Sequence, residues 1–164
     1  MISSSMDSVT DVYCSRDENT IRNGMMDKII NGIVNQIRQI YDESKYEIYT
    51  ESVEQGLKEP CFSILCLSPH IEHIVGTRYK RTLPFTIRYW SDSEETYADE
   101  LNVSENLEYL LKGITVDGFV MHGKNILGQI VDGVLQFQVT YEFFVVDKPD
   151  DEEKIENCDI NTNA

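Results

Sequence analysis

The sequence predicts an α+β fold: a small, mainly antiparallel sheet with two helices packed on one face. Three observations carry that expectation. Apolar residues recur at intervals of three or four across residues 25–42 and again across 97–114. Period-two alternation runs through residues 83–89 and 135–143. Asp132-Gly133 stands between two β-rich runs, the signature of a tight type I′ hairpin.

Taken in order, residues 1–24 are polar, with Ser3-Ser4-Ser5 and scattered Asp and Asn, and are predicted to be a disordered N-terminal extension. The domain proper is placed at residues 25–146. Its first helix spans 25–42, with Met26, Ile30, Ile33, Ile37 and Ile40 as a stripe that Ile29 and Val34 widen. Ile and Val are only fair helix formers, so this helix needs a sheet to pack on. Residues 45–50 form a short strand. The polar segment 51–60 follows, punctuated by Gly56 and Pro60. Residues 61–67 are nearly continuous apolar, as in a strand covered on both faces. Residues 69–77 are predicted as a loop bounded by Pro69 and Gly76. Residues 78–90 are a strand in which Pro84, unable to donate to a ladder, marks an edge, a bulge or the non-bonded side.

Ser91-Asp92-Ser93-Glu94 has the form of a capping box for a second helix to about Lys112. Its expected apolar side is Tyr97, Leu101, Leu107, Leu110, Leu111 and Ile114, and Gly113 suits its stop. Val116 to Met121 reads as another strand, with His122 in a turn beside Gly123. The Asp132-Gly133 hairpin closes the domain. Leu135, Phe137, Val139, Tyr141 and Phe143 point one way, and Gln136, Gln138, Thr140 and Glu142 the other. Residues 147–164 are rich in Asp and Glu and are predicted to be a disordered acidic tail.

The formal net charge is −15. Binding phosphate needs clustered Lys and Arg, so free nucleic acid is not the expected partner, and the same charge argues against an anionic membrane surface. The first residues lack the basic and apolar regions of a secretory signal, and no apolar stretch is long enough for a bilayer. Cys14, Cys61, Cys66 and Cys158 make no CxxC pair and are read as reduced thiols.

Reactive chemistry finds little purchase. His70 and His73, with Glu72 between them, are the nearest thing to a metal cluster, but they fall in the predicted loop and read as solvated residues. No GxSxG, Walker or GxGxxG pattern occurs. Neither catalytic, cofactor nor metal residues are assigned. A basic and aromatic group does stand out: Arg78, Tyr79, Lys80, Arg81, Arg88 and Trp90. Such a group can bind a nucleic-acid strand. On so acidic a chain it reads better as a protein interface facing acidic surface on a neighbouring subunit. The assigned interface residues are Arg78, Tyr79, Arg81, Arg88, Trp90, Gln136, Gln138 and Glu142, with the 51–60 and 70–77 segments as further contacts.

Several segments together resemble a family. Met26-Asp27-Lys28-Ile29-Ile30-Asn31-Gly32-Ile33, residues 46–62, Arg78-Tyr79-Lys80-Arg81-Thr82-Leu83-Pro84-Phe85 and Ile130-Val131-Asp132-Gly133-Val134-Leu135 are similar, in this order, to tail terminator proteins of phages and prophages of Gram-positive bacteria. The resemblance covers roughly residues 25–146. It implies a structural virion protein, not an enzyme, without cofactor. It further implies a homo-hexameric ring at the head-proximal end of the tail tube that stops polymerisation and docks the neck and head–tail connector proteins. Partners would be further copies of the chain, the tube protein and, in a contractile tail, the sheath protein. DNA would pass through without specific binding, and six copies at −15 would carry roughly −90, repelling phosphate. Two other readings stand beside it: another neck or head-completion subunit, and an acidic inhibitor that mimics DNA.

Overall fold

The computed structural model describes residues 24–53 and 55–147, together with the backbone of Asp11–Val12. The predicted disordered ends, 1–24 and 147–164, lie almost wholly outside the described residues. The elements are β1 (Asp11–Val12), α1 (Met25–Ile37), β2 (Glu47–Tyr49), β3 (Cys61–Cys66), β4 (His70–Val75), β5 (Arg78–Trp90), α2 (Thr96–Leu110), β6 (Gly113–Val116), β7 (Phe119–Val131) and β8 (Val134–Val146). The fold is α+β, with two helices and a mostly antiparallel sheet. The sheet is larger than expected: its order is β2-β3-β5-β8-β7-β6, with β4 beside β5 and β1 beside β8. The β2–β3 and β1–β8 pairs are parallel.

Strands β5 and β8 form the spine, antiparallel from Arg78↔Val146 to Tyr89↔Leu135. Their alternation builds one core. Leu83, Phe85, Ile87 and Tyr89 of β5, with Leu135, Phe137, Val139 and Tyr141 of β8, are buried against Ile29, Ile33 and Ile37 of α1 and Val103, Leu107 and Leu110 of α2. The Tyr141 hydroxyl donates to the Leu111 carbonyl at 2.8 Å, so a phenol enters this apolar layer without an unmet donor. Burial raises its pKa well above that of a free phenol.

The turn chemistry explains the hairpins. Asp132 (φ 52°) and Gly133 (φ 69°) are both left-handed, as a type I′ turn requires. A second Asp-Gly pair does the same: Asp117 (φ 49°) and Gly118 (φ 81°) join β6 to β7. The expected strand from Val116 to Met121 is therefore two strands with a turn inside it. His122 lies within β7 and not in a turn, and Gly113 opens β6 instead of closing the helix. Phe119 to His122 of β7 pair with β6, and from Gly123 onward β7 pairs with β8, with a register shift between Lys124 and Leu127. Gly123 allows the strand to pass close to the helix end, because a Cβ there would meet the Leu111 carbonyl oxygen at 2.5 Å.

Pro84 sits in the middle of β5 without breaking it. Its carbonyl accepts from Leu67 N–H at 2.9 Å, so its polar side faces β3 and β4 and not β8. This is the non-bonded side with respect to β8, and the missing donor falls where β5 changes neighbour from β4 (at Thr82) to β3 (at Phe85).

Both helices differ from expectation at their ends. α1 stops at Ile37, and Ile40 is half exposed instead of completing the stripe. Arg38 reaches across to the Tyr46 carbonyl at 2.7 Å, and the Tyr41 ring packs against Tyr46 and Phe62. α2 starts at Thr96, and its N-cap residue, Glu95, makes no side-chain capping bond. Ser91 instead donates to Asp99 at 2.5 Å, and the Tyr89 hydroxyl donates to the same carboxylate at 2.7 Å. Asp99 thus pins the start of α2 to the end of β5. Tyr97 and Leu101, expected on the apolar side, face solvent.

Candidate functional site

The predicted loop at 69–77 is a strand. β4 pairs with β5 from His70↔Thr82 to Val75↔Arg78, and Gly76 (φ 57°) turns the chain between them. Every residue of β4 is exposed. His70 and His73, three apart on a strand, point to opposite faces and cannot close on one ion. His73 Nε2 lies 2.9 Å from the Gly76 carbonyl, and its ring is 5.1 Å from that of Tyr79. Among the described residues, no group of His, Cys, Asp and Glu could hold a metal.

Strand parity divides the eight interface candidates. Arg78, Arg88, Trp90, Gln136, Gln138 and Glu142 lie on the sheet face opposite the core. Tyr79 and Arg81 share the parity of Leu83 and fall on the other face, past the end of the core. Contacts agree with the register. The Arg78 guanidinium stands over Phe144, and that of Arg81 over Phe143, each at 5.7 Å.

The outer face is built across three strands. Arg88 lies between Ser63 of β3 and Gln136 of β8, and Gln136 lies opposite Gln129 of β7. Lys124 Nζ donates to Glu142 at 2.8 Å, and Lys80 Nζ is 3.4 Å from the same carboxylate, so one acid on β8 ties β5 to β7. The hydrogen bond from Lys124, with the charges of both lysines, holds the Glu142 carboxyl below the usual carboxylate range. The Arg88 Nε is buried without a hydrogen-bond partner. Trp90, half-buried, lies opposite Cys61. Burial pushes the Cys61 thiol up to about 11, so it stays protonated at neutral pH and behaves as a small apolar side chain.

Two further surfaces expose apolar side chains. One is β4, inside the 70–77 segment expected to make contacts, where Ile71, Ile74 and Val75 stand in solvent. The other is the outer side of α2, where Tyr97, Leu101 and Tyr109 are exposed while Glu100 is buried. One Glu100 oxygen has no hydrogen-bond partner, and burial, then the Asp99 charge, raises its pKa. The four-residue spacing of 97, 101, 105 and 109 was a legible second stripe, in competition with Val103, Leu107 and Leu110.

Among the described residues, no helix is long and apolar enough to cross a membrane. Comparison with known proteins gives a direct result. A family model described as phage tail terminator protein matches residues 28–154. No curated protein matches the chain. A solved structure 8% identical to it covers 83% of this chain and 99% of its own, at a TM-score of 0.40.

Proposed function

The chain belongs to the phage tail terminator family, and from that premise we propose that it forms a homo-hexameric ring capping the head-proximal end of a tail tube. The family is a structural one, and the chain is accordingly a tail component and not an enzyme. The family match over residues 28–154 is the observation that carries the reading. In this reading the ring stops tube polymerisation and offers its other side to the neck proteins, and to the sheath where the tail contracts. The host would be a Gram-positive bacterium, and the folded unit residues 25–146.

The physical character of the molecule supports this role. The sheet face opposite the core carries amides and paired charges, Gln136, Gln138 and the Lys80–Glu142–Lys124 cluster, which can meet another protein without exposing an apolar sheet. A net charge of −15 per copy disfavours a grip on passing DNA. Tails assembled without this protein and imaged by negative stain should carry tubes longer than normal. Tubes of unchanged length and normal head attachment would refute the capping role.

A further inference from the structure

Arg88 is a half-buried cation without a counter-charge. Strand register places it on the sheet face opposite the core, in a row with Ser63, Gln136 and Gln129. On β3, β5, β8 and β7, neither that row nor the row on either side holds an acid. Among the described residues Arg88 has no ion pair and no hydrogen bond, and its buried Nε is an unmet donor. The other bases of this face are occupied: Lys80 and Lys124 share Glu142, and Arg78 lies over Phe144. Holding a guanidinium partly out of water without a partner is costly, and a carboxylate is the group whose two oxygens match its fork. Trp90 lies beside Arg88 on the same face, half-buried, and Leu127 and Val131 are exposed two strands away. A ligand suited to this patch carries a carboxylate next to an apolar side chain.

The chain itself contains such a segment. Residues 148–164, outside the described residues, hold six Asp and Glu against two Lys. Their two isoleucines each adjoin a carboxylate, as Ile155-Glu156 and Asp159-Ile160. The β4–β5 hairpin is an arm at the far end of β5 from Arg88, and the tail leaves from it. There Arg78 pairs with Val146, and the Asp147 N–H donates to the Thr77 carbonyl at 2.9 Å. Arg88 is ten residues along β5 from Arg78, roughly 33 Å at about 3.3 Å each. At the same rise, an extended chain from Asp147 spans roughly 30 Å to Glu156 and roughly 40 Å to Asp159.

We propose that the acidic tail folds back over the outer sheet face and sets a carboxylate of its 155–160 stretch on the Arg88 guanidinium, with the adjoining isoleucine against Trp90. Lys148-Pro149-Asp150 supplies turn chemistry for the reversal. Tethering makes the contact intramolecular, so one ion pair and a small apolar contact hold where a free acidic peptide would not. A phosphate could meet the same cation, but it would first meet a chain of net charge −15. The tail is then a removable cover, and a partner that takes Arg88 must displace it. The contact needs no second chain, so it stands or falls apart from the ring.

Trp90, the only tryptophan of the chain, reports on the site. In the full chain, Glu156→Gln with Asp159→Asn should raise acrylamide quenching of Trp90 about twofold, and high salt should do the same to the wild type and nothing further to the variant. Quenching that the variant leaves unchanged would overturn the contact. A second variant, Arg88→Lys, keeps the charge and reads the contact directly. Carbodiimide should join its new amine to Glu156 or Asp159, mapped by peptide mass in protein whose denatured mass is that of one chain, 18.9 kDa. No link, or a link found only between two chains, would overturn the tail as occupant, the second result giving the place to another copy. Protection of Trp90 that appears only on adding double-stranded DNA would overturn it as well, in favour of a phosphate.

Discussion

The two halves of β5 are one strand in two environments. From Leu83 to Tyr89 every second side chain is buried under the helices. From Arg78 to Thr82 the strand is sheathed only by β4, which has no buried residue, and by the end of β8. The backbone ladder is continuous across both, so hydrogen bonding does not distinguish them. What differs is apolar area removed from water, the term that dominates folding. The core half defines the fold. The arm half costs the fold little and is free to vary with what it touches.

That contrast can be broken most sharply from the core side. Phe137→Ala removes a fully buried ring of the core and should destabilise by about 3–5 kcal/mol, measured as a fall in the denaturant midpoint at unchanged slope. Tyr141→Phe leaves the Leu111 carbonyl without its donor and should cost about 1–2 kcal/mol by the same measurement. Glu100→Gln works in the other direction. The Glu100 pKa is raised in the folded state, so folding favours the protonated form. Its contribution is most favourable below the ordinary carboxylate pKa, and declines as pH rises from there to the folded value. The variant should therefore gain about 1 kcal/mol at neutral pH, with the gain vanishing near pH 4, in paired denaturation curves across that range. The smallest effect belongs to the arm. Ile71→Thr should change monomer stability by less than about 0.5 kcal/mol, and a loss as large as that of Tyr141→Phe would mean that the arm belongs to the core after all.

The same division decides what was readable from sequence. The spine and its hairpin were legible because period two and the Asp132-Gly133 turn are local signals, and burial on one face reinforces both. β4 was not legible, since a strand exposed on both faces has no alternation to show, and Pro69 and Gly76 look like loop punctuation. It forms because β5 lends it a ladder. Asp117-Gly118 carried the same turn signal as Asp132-Gly133 and was absorbed into a supposed strand, because the four-residue β6 is too short to announce itself. The second helix was located but turned wrongly. Tyr97 and Leu101 look like core residues by type, and only the place of α2 over β7 and β8 selects Val103 and Leu107 instead. Of the candidate interface, residue type picked out the basic and aromatic group on β5. Strand parity, already present in the sequence, would have separated Tyr79 and Arg81 from the other six.

Pro84 has a mechanical corollary. At the seam where β4 hands over to β3, Leu67 stands opposite Pro84 and donates to its carbonyl, so the ladder lacks only the one bond that proline cannot give. The seam stays closed through Leu67, and β5 runs beside β8 as one uninterrupted beam through twelve register pairs. A load applied at the tip of the arm is then shared as shear along the whole beam instead of unzipping it from one end.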